Sequence, residues 1–249
     1  MKTILITGGT GFIGKNLIAK LTENQSFELL TPGREVSDEE LRSQLKRANY
    51  IFHLAGVSRP QDPKEFYEGN SKLTEKIVNI LREEGLVTPI LYTSSIHAVL
   101  ENDFGSSKRA AEQCLISYQN ETGAKAHIVR LTNTFGRWAK PNAHSVIATF
   151  CYNIQRDLEI TITDRNKEVT LAYIDDVVNA FIALLLDEKI SDDMCLSGEG
   201  LYSIKKVYTK TLGEISDLLY SFKQEHLPAD SVNDVFAEKL FTTYQSYKP

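Results

Sequence analysis

A glycine-rich segment close to the N-terminus constrains the fold of this chain more than any other feature. The stretch TGGTGFIG, from Thr7 to Gly14, follows the short apolar run TILIT and opens a segment with helical periodicity. Glycines at this spacing allow a tight turn and let backbone amides approach a pyrophosphate, and a helix N-terminus favours negative charge. The stretch therefore predicts a dinucleotide site, and a glycine-rich turn with only a packing role is the alternative. The predicted contacts in this loop are Gly8, Thr10, Gly11, Phe12, Ile13 and Gly14.

Strand-like runs alternate with helical segments through the first half of the chain. The runs are TILIT, FELLT, YIFHLAG, PILYTSS and AHIVRLTN. Alternation at this spacing is typical of βαβ crossovers, in which helices cover both faces of a parallel sheet. We therefore predict an α/β fold, a Rossmann-type doubly wound parallel sheet, whose cofactor-binding core spans about residues 1–134.

The pattern changes after Asn133, where the segment FGRWAKPN interrupts the alternation. Beyond it the sequence predicts a helix from about Asn142, short strands at LEITIT and EVTLAY, and a helix from Asp175. Two further helices are predicted near 211–224 and 230–246. We expect residues 135–249 to form mainly a small C-terminal substrate-binding lobe, with a late strand and helix returning to the core, so that 1–249 is one domain.

Composition excludes several classes of partner. The 249 residues carry 28 Lys and Arg against 33 Asp and Glu, a net charge of -5, which offers no broad basic surface to nucleic acid or an anionic membrane. No apolar run is long enough for a signal peptide or a bilayer span, so we expect a cytoplasmic location. The three cysteines are far apart and lack C-x-x-C spacing, which predicts neither a disulfide framework nor a metal site.

The residues after the second predicted strand indicate which dinucleotide is preferred. An NAD-specific protein usually has a carboxylate there for the adenosine ribose hydroxyls, whereas this chain has TPGRE, with Arg34 after Gly33. A guanidinium suits the 2′-phosphate of NADP. NADP is therefore favoured, although Glu35 keeps NAD open as an alternative and Arg34 could be a solvated loop charge.

Seven short motifs, taken in order along the chain, resemble one family. They are TGGTGFIG, HLAG at 53–56, Asn70, TSS at 93–95, FGSSK at 104–108, RLTNTFG at 130–136 and YIDD at 173–176. Together they resemble the extended short-chain dehydrogenase/reductases that act on nucleotide sugars. This resemblance implies a homodimer packed through the helices near 65–84 and 105–121. It also implies further cofactor contacts at Leu54, Ala55, Gly56, Lys108 and Leu131.

Longer stretches are similar, more narrowly, to the reductase domain of bacterial capsular-polysaccharide enzymes that make UDP-N-acetyl-L-fucosamine precursors. They are GVSRP, FGRWAKPN, SVIATFCYNI, DRNKEVTL and TLGEISDLLYSFK, so this likeness covers nearly the whole chain. It implies a UDP-linked keto-deoxyhexosamine as substrate. It also implies a cupin domain or a separate epimerase as partner, and we expect the C-terminal cupin domain to be absent here.

The resemblance assigns the chemistry to three positions in the middle of the chain. In that family a serine at the position of Ser95 binds the keto oxygen and a tyrosine delivers the proton. A lysine four residues later holds the nicotinamide ribose and lowers the pKa of the tyrosine, and i, i+4 spacing puts the two on one helix face. Ser95 and Lys108 match, whereas Phe104 stands at the tyrosine position. Read as structure alone, Ser95 would cap a strand end and Lys108 would be an exposed helix residue.

Phe104 keeps an aromatic ring but cannot donate or relay a proton. Because a positioned general acid is worth roughly 10² to 10⁴ in rate, we expect binding to survive and turnover to collapse. Two explanations fit the phenylalanine at this position: a Tyr→Phe substitution and a naturally inactive relative. The intact neighbouring motifs favour the substitution. His97 could replace the acid but is more typical of a substrate-loop or packing residue, and Asp103 is expected to cap the helix.

The motifs favour NADPH-dependent reduction of a C4 keto group over other reactions of this superfamily. A sugar 4,6-dehydratase needs an acidic pair directly after the catalytic serine or threonine, where this chain has Ile96 and His97. A 4-epimerase recycles tightly held NAD, whereas Arg34 favours the NADPH that a reductase consumes. A UDP-sugar 4-epimerase stays open as the alternative, as does a non-catalytic module that binds NADP or a sugar nucleotide.

Contacts with the sugar nucleotide are predicted from the resemblance and from charge, since basic residues in loops facing the cleft suit a diphosphate. Asn133 matches the family asparagine near the UDP diphosphate, but the family's usual arginine shortly before YIDD is Val169 here. Asn70 could belong to a proton relay or tie a helix to a strand. The predicted substrate residues are Arg59, Ser95, Ile96, His97, Asn133, Arg137, Lys140 and Arg165.

Overall fold

The computed structural model of the protein describes residues 1–143, 145–187, 194–196, 200–224 and 233–249. The strands are β1 (Lys2–Thr7), β2 (Phe27–Leu30), β3 (Tyr50–His53), β4 (Ile90–Ser95), β5 (Ala126–Leu131), β6 (Asn133–Phe135), β7 (Glu168–Tyr173), β8 (Met194–Leu196), β9 (Leu201–Ile204) and β10 (Val207–Thr211). The helices are α1 (Phe12–Thr22), α2 (Asp38–Arg47), α3 (Lys64–Phe66), α4 (Leu73–Glu83), α5 (Asp103–Thr122), α6 (Val146–Ile154), α7 (Ile174–Leu185), α8 (Leu212–Ser221) and α9 (Val235–Gln245). A π-helical turn, Tyr67–Lys72, joins α3 to α4, and 3₁₀ turns cover Ile96–Val99 and Phe222–Gln224.

The chain divides into two compact units. The first unit contains Met1–Leu131 and Val178–Lys205, and the second contains Thr132–Val177 and Lys206–Pro249. Among the described residues, none of the helices has the length and apolar character needed to cross a bilayer.

A largely parallel sheet forms the centre of the first unit. Its described strands run in the order β2-β1-β3-β4-β5-β9-β8, and only the last pair is antiparallel. The chain passes from β1 to β2 on one side and then to β3 on the other, so the order reverses between β1 and β3. Ligands of doubly wound sheets bind at the carboxyl ends of the strands beside such a reversal. The predicted α/β class is confirmed, and the sheet places the glycine-rich segment at that reversal.

The core of this unit explains why the first five strands could be predicted. Ile4, Leu5 and Ile6 of β1 are completely buried, as a strand covered on both faces requires. The long helix α5 begins after Asn102, whose side chain accepts a hydrogen bond from the Gly105 amide at 2.8 Å. The prediction that Asp103 caps this helix is therefore wrong by one residue, because the side-chain oxygen of Asn102 already fills the capping position.

The second unit has its own small sheet and three packed helices. Its described strands run in the order β10-β7-β6, and α6, α8 and α9 contact one another. EVTLAY forms β7 as predicted, but LEITIT forms no strand. Its composition suits a strand, but none of its residues is buried and it pairs with none of the described strands, so neither packing nor a hydrogen-bonded ladder stabilises an extended conformation.

Two helix boundaries in the second unit also differ from the prediction. The helix expected from Asn142 starts at Val146, where Ser145 caps it through the Ala148 amide. The helix expected over 230–246 starts at Val235 after the Asp234 cap, and residues 230–232 lie outside the described residues. In both places a side-chain cap, rather than apolar periodicity, sets the first turn.

Candidate active site

A cavity of about 530 Å³ lies at the carboxyl ends of β1 and β3 in the first unit. Its volume is in the range typical of small-molecule sites. Predicted cofactor contacts line it: Gly8, Thr10, Gly11, Arg34, Leu54, Ala55 and Gly56. The sequence did not identify the opposite wall, to which α2 contributes Leu41 and α4 contributes Leu73 and Lys76.

The glycine loop is shaped for close approach of a backbone or a phosphate. Gly8 has a φ of 72°, and a Cβ atom there would lie 2.6 Å from the Ala55 nitrogen, so only glycine fits. The Gly11 amide donates to the Gly8 carbonyl at 3.0 Å and closes the turn. No side chain caps the start of α1 and its first turn has no acidic residue, so its amide groups can face an anion. The loop therefore fits a dinucleotide pyrophosphate.

Other predicted cofactor residues lie outside the lining of this cavity. Phe12, Ile13 and Gly14 form the first turn of α1, and Leu131 is buried at the end of β5. Among the described lining residues the charged ones are Arg34 and Lys76, and none is a carboxylate. Glu35, the residue that kept NAD open, does not line the cavity.

Ser95 lies where β4 ends. Its Oγ accepts a hydrogen bond from the His97 amide at 3.1 Å, which makes Ser95 the cap of the turn Ile96–Val99. Within the described residues its hydroxyl hydrogen has no acceptor, so it can be donated to a ligand. Arg109 of α5 positions this turn by donating to the carbonyls of Ala98 and Leu100, the latter at 2.7 Å. Sequence reasoning missed Arg109, which lies one residue after the FGSSK motif.

Phe104 and Lys108 occupy successive turns of α5. The Phe104 ring is half-buried and lies 5.6 Å from the Phe66 ring, centroid to centroid. Lys108 is 7% exposed; its ammonium donates to the Thr93 carbonyl at 3.0 Å and lies 4.8 Å from the centre of the Tyr92 ring. The reading of Lys108 as an exposed helix residue is therefore wrong.

The burial of Lys108 changes its acidity. Desolvation lowers the pKa of Lys108 to about 8, while the charge of Glu112, one turn further along α5, acts in the opposite direction. Glu112 is itself buried and receives hydrogen bonds from Ser94 at 2.5 Å and from Arg130 at 2.6 and 2.9 Å. Lys108 thus stays mainly protonated at neutral pH.

Asn70 ties the end of β3 to α5. Its Oδ1 accepts from the Val57 amide at 2.9 Å, and its Nδ2 donates to the Val57 carbonyl and to the Ser107 hydroxyl, both at 3.0 Å. These bonds use the polar atoms of the Asn70 side chain. They favour a role in linking the strand to the helix over a role in a proton relay. A Cβ atom at Gly56 would lie 2.8 Å from Asn70 Oδ1 and 3.2 Å from Lys108 Nζ, so this wall of the cavity is next to the lysine.

A buried histidine connects the glycine loop to the same network. Thr7 Oγ1 lies 2.7 Å from His53 Nδ1, and His53 Nε2 lies 2.9 Å from Thr74 Oγ1. The Thr74 hydroxyl donates to the Asn70 carbonyl at 2.7 Å, so it accepts from His53 Nε2, and Nδ1 accepts from Thr7. Burial lowers the pKa of His53 to about 3, and the Lys108 charge acts in the same direction. His53 is therefore neutral at neutral pH and links Thr7 to Thr74 through its two ring nitrogens.

The predicted substrate residues are divided between the two units. In the first unit Arg59, Ile96 and His97 are exposed. In the second unit Asn133 begins β6 and Lys140 is exposed, whereas the Arg137 guanidinium lies 4.6 Å from the centre of the Trp138 ring.

Two positions in the second unit bear on the predicted phosphate contacts. Arg165 Nη2 lies 2.7 Å from both carboxylate oxygens of Asp217 on α8. Val169, at the position of the usual family arginine, lies opposite Lys210 across the β7–β10 pair. Lys210 is a cation close to that position which sequence reasoning missed, since the register of β10 was not predicted.

Known proteins are similar over most of this chain. A UDP-2-acetamido-2,6-beta-L-arabino-hexul-4-ose reductase of Pseudomonas aeruginosa is 41% identical over 248 residues, which are 99% of this chain and 65% of that protein. The crystal structure of the capsular polysaccharide assembling protein CapF from Staphylococcus aureus has 42% identity and a TM-score of 0.85, over 99% of this chain and 66% of the CapF chain. The chain thus spans slightly less than two thirds of both relatives.

More distant structures share the fold alone. A UDP-glucuronic acid 4-epimerase from Bacillus cereus, in complex with NAD, has 14% identity and a TM-score of 0.81 over 98% of both chains.

The model of the NAD dependent epimerase/dehydratase family matches residues 4–194 of the sequence. The resemblance to extended short-chain dehydrogenase/reductases is confirmed, and this chain belongs to the NAD dependent epimerase/dehydratase family.

Proposed function

We propose that this chain has the site of an NADPH-dependent reductase for the C4 keto group of a UDP-linked 2-acetamido-2,6-dideoxy-hexos-4-ulose, a step in making a capsular or surface polysaccharide precursor, and that Phe104 at the tyrosine position impairs the reduction. The observation that carries the proposal is the arrangement at the carboxyl end of the sheet. The Ser95 hydroxyl hydrogen is available to a ligand, and the Lys108 ammonium is buried next to Gly56 of the cavity. The substrate class rests on the 41% identity to the Pseudomonas reductase.

Each residue has a defined part in that reaction. The cofactor supplies a hydride when it is bound. The amides of the glycine loop hold the pyrophosphate, and Lys108 holds the nicotinamide ribose with its ammonium. The Ser95 hydroxyl donates to the keto oxygen and so stabilises the charge that develops there. Phe104 has no hydroxyl, so it cannot complete the reaction by delivering a proton to that oxygen.

Arg34 supports NADPH, rather than NADH, as the cofactor. Arg34 lines the cavity, and none of the ion pairs found in the described part of the chain includes it. Glu35 offers no competing contact, because it is not part of the lining. A cavity with cations and no carboxylate among its described lining residues suits a 2′-phosphate better than a pair of ribose hydroxyls.

Phe104→Tyr tests the proposed reaction. We expect this variant to oxidise NADPH in the presence of a UDP-linked 4-keto-deoxyhexosamine roughly 10² to 10⁴ times faster than the protein with Phe104. Phe66→Tyr is the matched control, since it adds the same hydroxyl to the neighbouring ring without placing it one turn before Lys108. Absence of any gain in Phe104→Tyr would refute the account of the missing acid.

Phe104 itself favours a second candidate function. A chain that binds NADPH and a sugar nucleotide but lacks the acid would act as a binding module rather than as an enzyme. Tight binding of both ligands with no turnover in Phe104→Tyr would support this candidate and contradict the reductase. An isomerised sugar formed without net NADPH oxidation would instead indicate a 4-epimerase.

We also propose a homodimer that packs the helices near 65–84 and 105–121 of one copy against those of another. Among the described residues, these helices present ion pairs such as Arg82–Glu121, and Tyr67 is their one exposed large aromatic side chain, so we expect a mainly polar interface. A monomeric mass by light scattering at micromolar concentration would contradict it. A cytoplasmic location and a cupin domain or epimerase as partner stay predictions.

A further inference from the structure

A second cation accompanies Arg34 in the cofactor cavity. Lys76, on α4, lines the same cavity, and its side chain is 37% exposed. Its ammonium forms an ion pair with Asp38, in the first turn of α2. Asp38 is four residues after Arg34, a distance of at most about 14 Å along an extended chain. The ammonium of Lys76 is therefore held at the start of α2, within four residues of Arg34 along the chain, and both cations line the same cavity.

We propose that Lys76 is a second ligand of the adenosine 2′-phosphate of NADPH and that Asp38 competes with this phosphate for it. The proposal rests on the proposed function, because it takes NADPH to be the cofactor. A phosphate monoester carries more than one negative charge at neutral pH, so a single guanidinium leaves part of it unneutralised. A lysine ammonium on a flexible four-carbon stem can move from a carboxylate to a neighbouring phosphate.

The environment of the ion pair decides which partner Lys76 prefers. The Asp38 side chain is 81% exposed, so solvent screens the pair and it holds Lys76 weakly. A phosphate inside the cavity carries a larger charge and also contacts Arg34. NADPH therefore displaces Asp38 from Lys76, whereas the ribose hydroxyl of NADH gives the ammonium no anion and leaves the pair intact.

Binding measurements on Lys76→Ala test this assignment without any turnover. By isothermal titration calorimetry we expect the Kd of NADPH and of 2′,5′-ADP to rise about tenfold, as for the loss of one charged hydrogen bond. The Kd of NADH and of 5′-AMP should change by less than about twofold, because neither ligand has the 2′-phosphate. Lys76→Arg should retain the preference for NADPH.

Lys72→Ala is the matched control. Lys72 lies one turn before Lys76, pairs with Glu68 and does not line the cavity, and its replacement removes the same charge. We expect it to leave all four Kd values within about twofold of the unmodified protein. Asp38→Asn should lower the Kd of NADPH several-fold and leave that of NADH unchanged.

Three results would overturn the assignment. They are unchanged NADPH binding in Lys76→Ala, equal losses for NADPH and NADH, and equal losses in Lys72→Ala and Lys76→Ala. Failure of the cofactor proposal is distinguishable, because the unmodified protein would then bind NADH as tightly as NADPH. If the unmodified protein prefers NADPH and Lys76→Ala prefers it equally, the cofactor proposal stands and only the role of Lys76 is contradicted.

Discussion

The cofactor cavity and the segment from Ser95 to Lys108 lie in the same unit, but only the cavity has all the groups that its proposed role needs. The cavity has a glycine turn, an arginine and an adjoining uncapped helix N-terminus, which are groups that suit the phosphates of a dinucleotide. The segment from Ser95 to Lys108 has both of these residues in hydrogen-bonded positions, yet the Phe104 side chain has no proton to donate. In the proposed function, binding and proton delivery therefore depend on separate residues and can be lost separately.

The two regions are nevertheless joined by buried hydrogen bonds. Thr7 ends β1, and its contact with His53 continues through Thr74 and Asn70 to Ser107 on α5. Buried polar networks stabilise a structure only when every member is satisfied. We therefore expect a disturbance of this network to affect both regions, whereas changes within one region affect that region alone.

The largest expected effect is a loss of stability at low pH, because protonation of His53 would disrupt this hydrogen-bonded network. The folded-state pKa of His53, about 3, is below its unfolded value, so below pH 6.5 the unfolded chain takes up a proton that the folded chain does not. The free energy of unfolding should fall by about 1.4 kcal/mol per pH unit from pH 6.5 downward, to a limit of about 5 kcal/mol. Urea unfolding curves between pH 7 and pH 5 measure this slope.

His53→Gln is the control for that slope, because an amide can bond to both threonines but does not titrate. His127, whose pKa burial lowers to about 4, contributes a similar slope in both proteins. The difference between the two proteins therefore isolates His53. Parallel pH dependences would show that His53 is not the group responsible.

The next largest effect concerns Lys108, whose replacement should increase stability while it weakens cofactor binding. Because the folded-state pKa of Lys108, about 8, is below its unfolded value of 10.5, its buried charge costs up to about 3 kcal/mol below pH 8. This cost disappears as the pH rises from 8 to 10.5. Lys108→Met should therefore raise the free energy of unfolding at pH 7. The gain is reduced by the loss of the hydrogen bond to the Thr93 carbonyl. The same variant should weaken NADPH binding.

Denaturant unfolding at pH 7 and pH 10 checks the sign. The advantage of Lys108→Met should shrink at the higher pH, and a variant less stable than the unmodified protein at both values would contradict a buried charge. Lys125→Met, at an exposed lysine, is the control and should show no such convergence.

A smaller effect concerns the cavity alone. Arg34→Asp should weaken NADPH binding roughly 10 to 100-fold more than NADH binding, because it removes a charged contact with the 2′-phosphate and adds repulsion. Glu35→Gln should change neither, since Glu35 does not line the cavity. Equal losses of both cofactors in Arg34→Asp would exclude this role for the guanidinium.

Sequence patterns predicted the parts of the fold that are locally encoded. The strands β1 to β5 have four to six residues, most of them buried or half-buried, between segments of helical periodicity, so alternation alone identified them. β6, β8 and β9 have only three or four residues, and their existence depends on a partner strand elsewhere in the chain. LEITIT illustrates the reverse, since a suitable composition without a partner among the described strands forms no strand.

The same division holds for the site. The glycine loop, Ser95 and Lys108 lie within short motifs, so spacing identified them. The Thr7–His53 contact joins residues 46 positions apart, and Lys76 meets Asp38 from a helix 38 positions away. Neither leaves a local pattern in the sequence, so only the three-dimensional arrangement reveals it.

Single-turnover reduction of a UDP-linked 4-keto sugar, measured together with NADPH affinity, tests the central claim most directly. The four proteins to compare are the unmodified chain, Phe104→Tyr, Lys108→Ala and the variant that carries both changes. We predict that the unmodified chain binds NADPH but reduces the sugar only at a residual rate, and that Phe104→Tyr reduces it roughly 10² to 10⁴ times faster. Lys108→Ala should weaken NADPH binding in both backgrounds and slow reduction only where the tyrosine is present. Full single-turnover reduction by the unmodified chain would contradict the account, because another group would then supply the proton.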